Sequence, residues 1–181
     1  MTPTEILKHE HQIILLVLKG AEREGTAARK KGACDAQTVE KMADFFKMFV
    51  DRCHHAKEER HLFPALERHG VPREGGPIGV MLSEHDAGRG QVRAIAAALP
   101  GLKAGRRDAA AAAADALLAY AALLRAHIEK EEGVLFAIAD RLLTPKECRD
   151  MVKAFDRVEA EEIGEGVHEK YHQLAYELAG H

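Results

Sequence analysis

Two ten-residue stretches hold the side chains best suited to chemistry: HHAKEERHLF at 54–63 and HIEKEEGVLF at 127–136. Each places a glutamate four residues after a histidine, Glu58 after His54 and Glu131 after His127. Residues four apart in an α-helix lie one turn apart on one face, so imidazole and carboxylate can meet at one point. Two glutamate–histidine pairs, Glu10–His11 and Glu84–His85, precede these stretches at nearly equal offsets. The chain therefore reads as two copies of a helical hairpin, each giving one histidine from its first helix and a His-x-x-x-Glu from its second. On the last of these helices the face of His127 and Glu131 is otherwise Tyr120, Leu123, Leu124, Val134, Leu135 and Ile138, which turns the polar groups inward. Burying unpaired imidazoles and carboxylates costs several kcal/mol each, and metal coordination offsets that cost. Four imidazoles and two carboxylates suffice for two ions bridged by Glu58 and Glu131.

Neighbouring frames compete with this one. His55 with Glu59 has the same spacing as His54 with Glu58, and His9 stands near His11. The internal repeat favours His54 and His11, because position 55 corresponds to Ile128 and the two Glu-His pairs align. His61, His69, His172 and His181 are expected in solvent, and Cys53 as a small buried residue. The segment His168-Glu169-Lys170-Tyr171-His172 satisfies the zinc-protease pattern HExxH. No third ligand follows in the usual place, and a plain helix or a secondary metal site is expected there.

The ligand pattern, one His, then HxxxE, then one His, then HxxxE, with LFP and LF after the two HxxxE stretches, resembles the hemerythrin-like, HHE cation-binding family over residues 11 to 131. That resemblance implies a four-helix bundle and a non-haem di-iron centre, bridged by oxide or hydroxide, that takes dioxygen, nitric oxide or peroxide. It implies His11, His54, Glu58, His85, His127 and Glu131 as ligands. Mixed nitrogen and oxygen ligation suits iron, and also zinc or manganese. Two positions depart from the oxygen carriers. Where they have a second histidine on the third helix this chain has Arg89, and where they end on an aspartate five residues after the last histidine it offers Glu131 at four and Glu132 at five. Five ligand histidines are thereby reduced to four, which leaves one ion an open position and favours sensing or chemistry over storage of oxygen. Arg89 is expected to guide an anionic ligand or to pair with a ligating carboxylate. Glu161, Glu162 and His168 are weaker candidates to fill the gap, with Tyr120 and Tyr171 behind them.

The elements that must carry these residues are helices. Thr2-Pro3-Thr4-Glu5 and Thr144-Pro145-Lys146-Glu147 are capping boxes with proline at the first helical position. A first helix fades into Gly25 and Lys30-Lys31-Gly32. A second starts near Asp35 and ends at His69-Gly70. A third runs from about Ile78 to Leu99, closed by Pro100-Gly101, and a fourth follows Gly105, its start rich in alanine, the best helix former. Nothing alternates with a period of two. The expectation is all-α: an up-down-up-down four-helix bundle over 1–143, with a C-terminal helical extension, 144–181, packed on the same domain.

Composition narrows the function. The 181 residues suit one domain. With 26 basic and 29 acidic residues the formal charge is −3, which speaks against nucleic acid or an anionic membrane as partner. The three cysteines form no CxxC and suit a reducing cytoplasm. The N-terminus has no signal-peptide pattern, and no run approaches the ~20 apolar residues of a membrane span. The eleven histidines are the anomaly, and metal binding accounts for them. The functions expected are binding or sensing of a small oxidant, then a di-iron enzyme that breaks down peroxide or performs an oxidation, then iron storage, donation or repair of iron centres.

Overall fold

The computed structural model describes residues 1–164 and 166–180; His181 lies outside the described residues. Among the described residues there are six helices and no strand: α1 (Pro3–Lys31), α2 (residues 36–68), α3 (Pro77–Lys103), α4 (Arg107–Leu142), α5 (Pro145–Glu162) and α6 (Val167–Ala179). Both capping boxes form: Thr2 accepts from the Glu5 amide and Thr144 from the Glu147 amide, while each glutamate reaches back to the cap. Gly32 ends α1 in the left-handed conformation that glycine adopts without penalty. Asp35 caps α2 through the Thr38 amide.

One boundary, one apolar run and one face differ from expectation. Proline 100 does not close α3, which runs on to Lys103; the last turn tolerates a missing amide because little helix remains to be distorted. Helix α4 is long and apolar enough, by length and composition alone, to cross a membrane, whereas no such run was expected. Its apolar side packs against α1 and α3 and carries His127 and Glu131 into the interior. Val134 is 50% exposed rather than inward. The turn at Glu131–Leu135 is π-helical, and this wider turn moves the inner face on to Leu135 and Phe136.

Helix α1 packs on α4 and α6, α3 on α4, and α2 on α3. The interior divides in two. One apolar cluster gathers Ile14, Val17, Phe46, Phe49, Leu117 and Tyr120, and the other Leu7, Phe63, Leu66, Met81, Leu135 and Phe136. The buried histidines and glutamates lie between them in sequence on α1, α2 and α4, so a polar layer crosses the core. The C-terminal helices are fastened to the rest: the Tyr171 hydroxyl donates to Asp44 at 2.9 Å, and Arg23 donates to the carbonyls of Leu178 and Ala179. Gly20 lets α6 approach, since a Cβ there would run into the Leu178 carbonyl.

Candidate metal centre

All six expected ligands are buried, none more than 1% exposed. They form two opposed imidazole pairs: His11 Nε2 lies 3.1 Å from His54 Nε2, and His85 Nε2 lies 3.1 Å from His127 Nε2. The two carboxylates span both pairs. Glu58 turns Oε1 toward His54 Nε2 (3.6 Å) and Oε2 toward His85 Nε2 (3.5 Å). Glu131 turns Oε2 toward His11 Nε2 (3.2 Å) and Oε1 toward His127 Nε2 (3.3 Å). One glutamate comes from each hairpin, and each has an oxygen for both sides.

The outer ring nitrogens are held by four more glutamates. Glu10 accepts from His54 Nδ1 (2.8 Å), Glu84 from His127 (2.9 Å), Glu132 from His11 (2.9 Å) and Glu59 from His85 (2.7 Å). A carboxylate on Nδ1 fixes the tautomer that points a free Nε2 lone pair at a cation and makes the ring a stronger donor. The HxxxE-E stretches and the Glu-His pairs thus have two functions each, the inner residue facing the centre and its neighbour orienting a histidine on another helix.

His55 is the residue that sequence reasoning missed. It is 3% exposed, stacks on the His85 ring with centroids 3.7 Å apart, and neither of its nitrogens has a hydrogen-bond partner. Helix α2 is π-helical through Phe46–His55, and the wider turn lets adjacent His54 and His55 both face inward. Two groups of metal-ligand atoms result, each within 4.8 Å: His55, Glu58, His85 and His127, and His11, His54, Glu58 and Glu131.

A family model, the hemerythrin HHE cation-binding domain, matches residues 2–139. The chain belongs to the hemerythrin HHE cation-binding family. It is also similar to three uncharacterized proteins, one from Mycobacterium bovis and two from strains of Mycobacterium tuberculosis. Each is 27% identical over 168 residues, which cover 91% of this chain and 64% of theirs. The chain thus spans about two thirds of the length of those curated relatives. No solved structure matches it.

Within this HHE domain the residues fit a cation. Both oxygens of Glu58 and of Glu131, and both nitrogens of His55, are buried without hydrogen bonds. Such orphans cost about 1–3 kcal/mol each when nothing compensates them. Burial and the nearby Glu131 charge push the Glu58 carboxyl well above its ordinary range. Burial works against Glu131 as well, but His11 and His127 hold it well below. Two carboxylates sharing one pocket do not both keep a charge without a cation. Burial drops His54 to about 4, and burial with the surrounding imidazoles drops His55 well below the usual value. Neutral imidazole is the form that binds metal.

The structure adds one residue to those expected and places the others. A fifth buried imidazole, His55 from α2, stands beside the four expected ones and joins the group of His85, His127 and Glu58. Arg89 is an orienting residue, its guanidinium donating to Glu59 (2.7 Å), Asp51 (2.8 Å) and Asp86 (2.8 Å), and Glu59 in turn holds His85. Of the weaker candidates, Glu162 pairs with Arg60 and Glu161 is exposed. His168 faces Glu10 (3.6 Å) and Glu159 (4.0 Å), a third and separate acidic group. The Tyr171 hydroxyl is taken by Asp44. His9 is exposed, as the repeat required, while His61 and His172 are half-buried rather than fully solvated. In the HExxH stretch Glu169 is exposed and joins no ligand group. Cys53 is buried, which pushes its thiol up to about 12 and leaves it a packing residue.

Proposed function

We propose that this HHE domain is a di-iron protein that binds or senses a small oxidant, dioxygen, nitric oxide or peroxide, through a four-helix up-down-up-down bundle of α1–α4 over 1–143. The C-terminal extension, 144–181, is read as part of the same domain, and the protein as cytoplasmic. The observation that carries the reading is the pair of buried carboxylates, Glu58 and Glu131, each with one oxygen toward each imidazole group and neither hydrogen-bonded. His55, His85 and His127 would hold one iron, His11 and His54 the other, and both glutamates would bridge. The irons would supply reversible electron transfer to a bound oxidant.

What the chain's own residues do follows from their placement. Glu10, Glu59, Glu84 and Glu132 fix the ring orientations. Three imidazoles on one side against two on the other leave the His11–His54 side with the smaller donor set, and there an exogenous ligand has a position to take. Phe136 stacks on His11 with centroids 5.4 Å apart, an apolar wall that excludes water from this side. Iron storage or donation is disfavoured because every ligand side chain is buried, an arrangement for a resident ion rather than for cargo. Reduction of peroxide at the same position is the competing reading.

Metal analysis together with a near-ultraviolet and visible spectrum of protein purified in air tests the proposal. Two irons per chain and oxo-bridged charge-transfer bands are expected. His127→Ala should lose most of the metal and exposed His9→Ala none. Equal iron in both variants refutes the assignment, and iron-dependent consumption of peroxide would favour the enzyme.

A further inference from the structure

A cleft of about 280 Å³ opens between α2 and α3 and ends on His55. A water needs only ~10–15 Å³ by a comparable measure, so this space is too large to be explained by a diatomic ligand and suits a molecule of about a dozen heavy atoms. Its walls are apolar, formed by Phe46, Val92 and the ring of Tyr120. Gly88 keeps it open at the floor, since a Cβ there would already touch the Tyr120 ring at 3.4 Å. Tyr120 is 1% exposed, and its hydroxyl makes no hydrogen bond with the described residues, which leaves a donor free for an occupant.

The rim is cationic. Lys47 and Arg93 are exposed there and form no ion pair among the described residues. Arg89 is already committed to Asp51, Glu59 and Asp86, and Asp51, the one acid on the lining, is neutralised by it. The cleft therefore combines an apolar body with two uncommitted positive charges at its mouth. Charge and shape together select an amphipathic anion.

We infer that the cleft between α2 and α3 binds a small carboxylate with an apolar body about the size of one aromatic ring, its carboxylate on Lys47 and Arg93 and its far end against His55. Contact with the oxidant-binding centre rests on the function proposed above, because His55 is the residue common to both. Binding itself does not depend on a metal.

The probe is phenylacetate, with neutral phenylacetamide of the same shape as control, titrated into the metal-free and the iron-loaded protein and followed by amide NMR. Saturable shifts at Phe46, Gly88 and Val92 are expected in both forms, with phenylacetamide and the Lys47→Ala/Arg93→Ala variant each weaker by roughly tenfold, the worth of a charged hydrogen bond. Gly88→Leu should block the cleft, and if that variant misfolds the rim variant still decides. Shifts that do not saturate, equal affinity for the amide, or unchanged binding by the rim variant overturn the inference. The two readings fail separately. Phenylacetate binding to a protein that takes up no iron supports the cleft and removes the centre, whereas iron uptake without binding does the opposite.

Discussion

Replacing His55 by isoleucine, the residue at the equivalent place in the second hairpin, should stabilise the metal-free protein and diminish the stabilisation that metal gives. In the metal-free protein the His55 ring is buried with neither nitrogen hydrogen-bonded, Asp51 standing 3.5 Å from Nδ1, and each unsatisfied group costs about 1–3 kcal/mol. Isoleucine fills similar space without polar atoms. Losing the ring stack on His85 takes back about 1 kcal/mol. The expected net is a gain of about 1–5 kcal/mol, and at ~2–4 °C per kcal/mol for a chain of this size the melting temperature rises by roughly 2–20 °C. With iron present this gain is offset. Loss of one imidazole should weaken metal affinity by at least the ~10–100-fold that losing a residue behind a ligand costs, which removes about 1.4–2.7 kcal/mol or more of metal-linked stabilisation. The assay is thermal unfolding by circular dichroism, in chelator and in anaerobic ferrous iron, alongside iron stoichiometry. A metal-free variant less stable than its parent, or an unchanged iron-induced shift, refutes the reasoning.

The metal-free protein should also lose stability as pH falls from about 6.5 toward 4, because His54 and His55 are held neutral in the fold, chiefly by burial, while the unfolded chain takes up protons. His11 and His127 oppose this, since Glu131 raises both against the effect of burial, so a shallower slope in His55→Ile, read from chemical denaturation at several pH values, is the sharper check. Lys57 is 1% exposed between Glu10 and Glu159, and Lys57→Met should cost about 3–5 kcal/mol by leaving Glu10 buried and uncompensated, with Glu10→Gln in the same chain recovering part; a cost under about 1 kcal/mol would contradict the burial of the pair. Glu147, held at about 2 by the Thr144 amide, the Thr144 hydroxyl and His69, gives stability that is complete above about pH 4.5 and lost as pH falls toward 2; Glu147→Gln should remove that part of the acid limb, as measured by urea unfolding across that range. Gly20→Ala should destabilise by about 1–3 kcal/mol, because α6 must retreat from its Leu178 carbonyl, and protection of α6 amides from hydrogen exchange should fall first.

Helix identity and the inner residues were legible because each rested on a local rule. The two capping boxes, the glycine after Lys31 and the four-residue spacing of histidine and glutamate depend on backbone geometry that the sequence encodes nearby. What was not legible depends on departures from the ideal α-helix. At 100° per residue adjacent His54 and His55 diverge on an ideal helix, and the repeat decides between their frames in favour of His54. The π-helical stretch at Phe46–His55 lets both face inward. The same effect at Glu131–Leu135 turned Val134 out to solvent. Proline 100 misled for a different reason, since its rule applies to helix interiors and it stands in a last turn. A signal for His55 was present in the sequence as a second histidine–glutamate pair in the adjacent frame. The repeat argued it away because isoleucine stands at the matching place, and that difference is where the two hairpins have ceased to be equivalent.

The loss of equivalence extends beyond the ligands. Lys57 and Lys130 occupy matching positions and pair with matching glutamates, Glu10 and Glu84, which hold matching histidines, His54 and His127. Yet the Lys57 side chain is 1% exposed and that of Lys130 44%. The difference comes from α5 and α6, which bring Glu159 and His168 over the first pair and leave the second in water. A charge network in a low-dielectric setting is both stronger and costlier to disturb than its solvated twin. The extension thus stiffens the His54 end, while Arg89 and the cleft elaborate the opposite, His55-bearing end. Two near-identical hairpins alone would give two equivalent groups of ligand atoms; the extension and His55 make them different, and the proposed centre, with a smaller donor set on one side, rests on that difference.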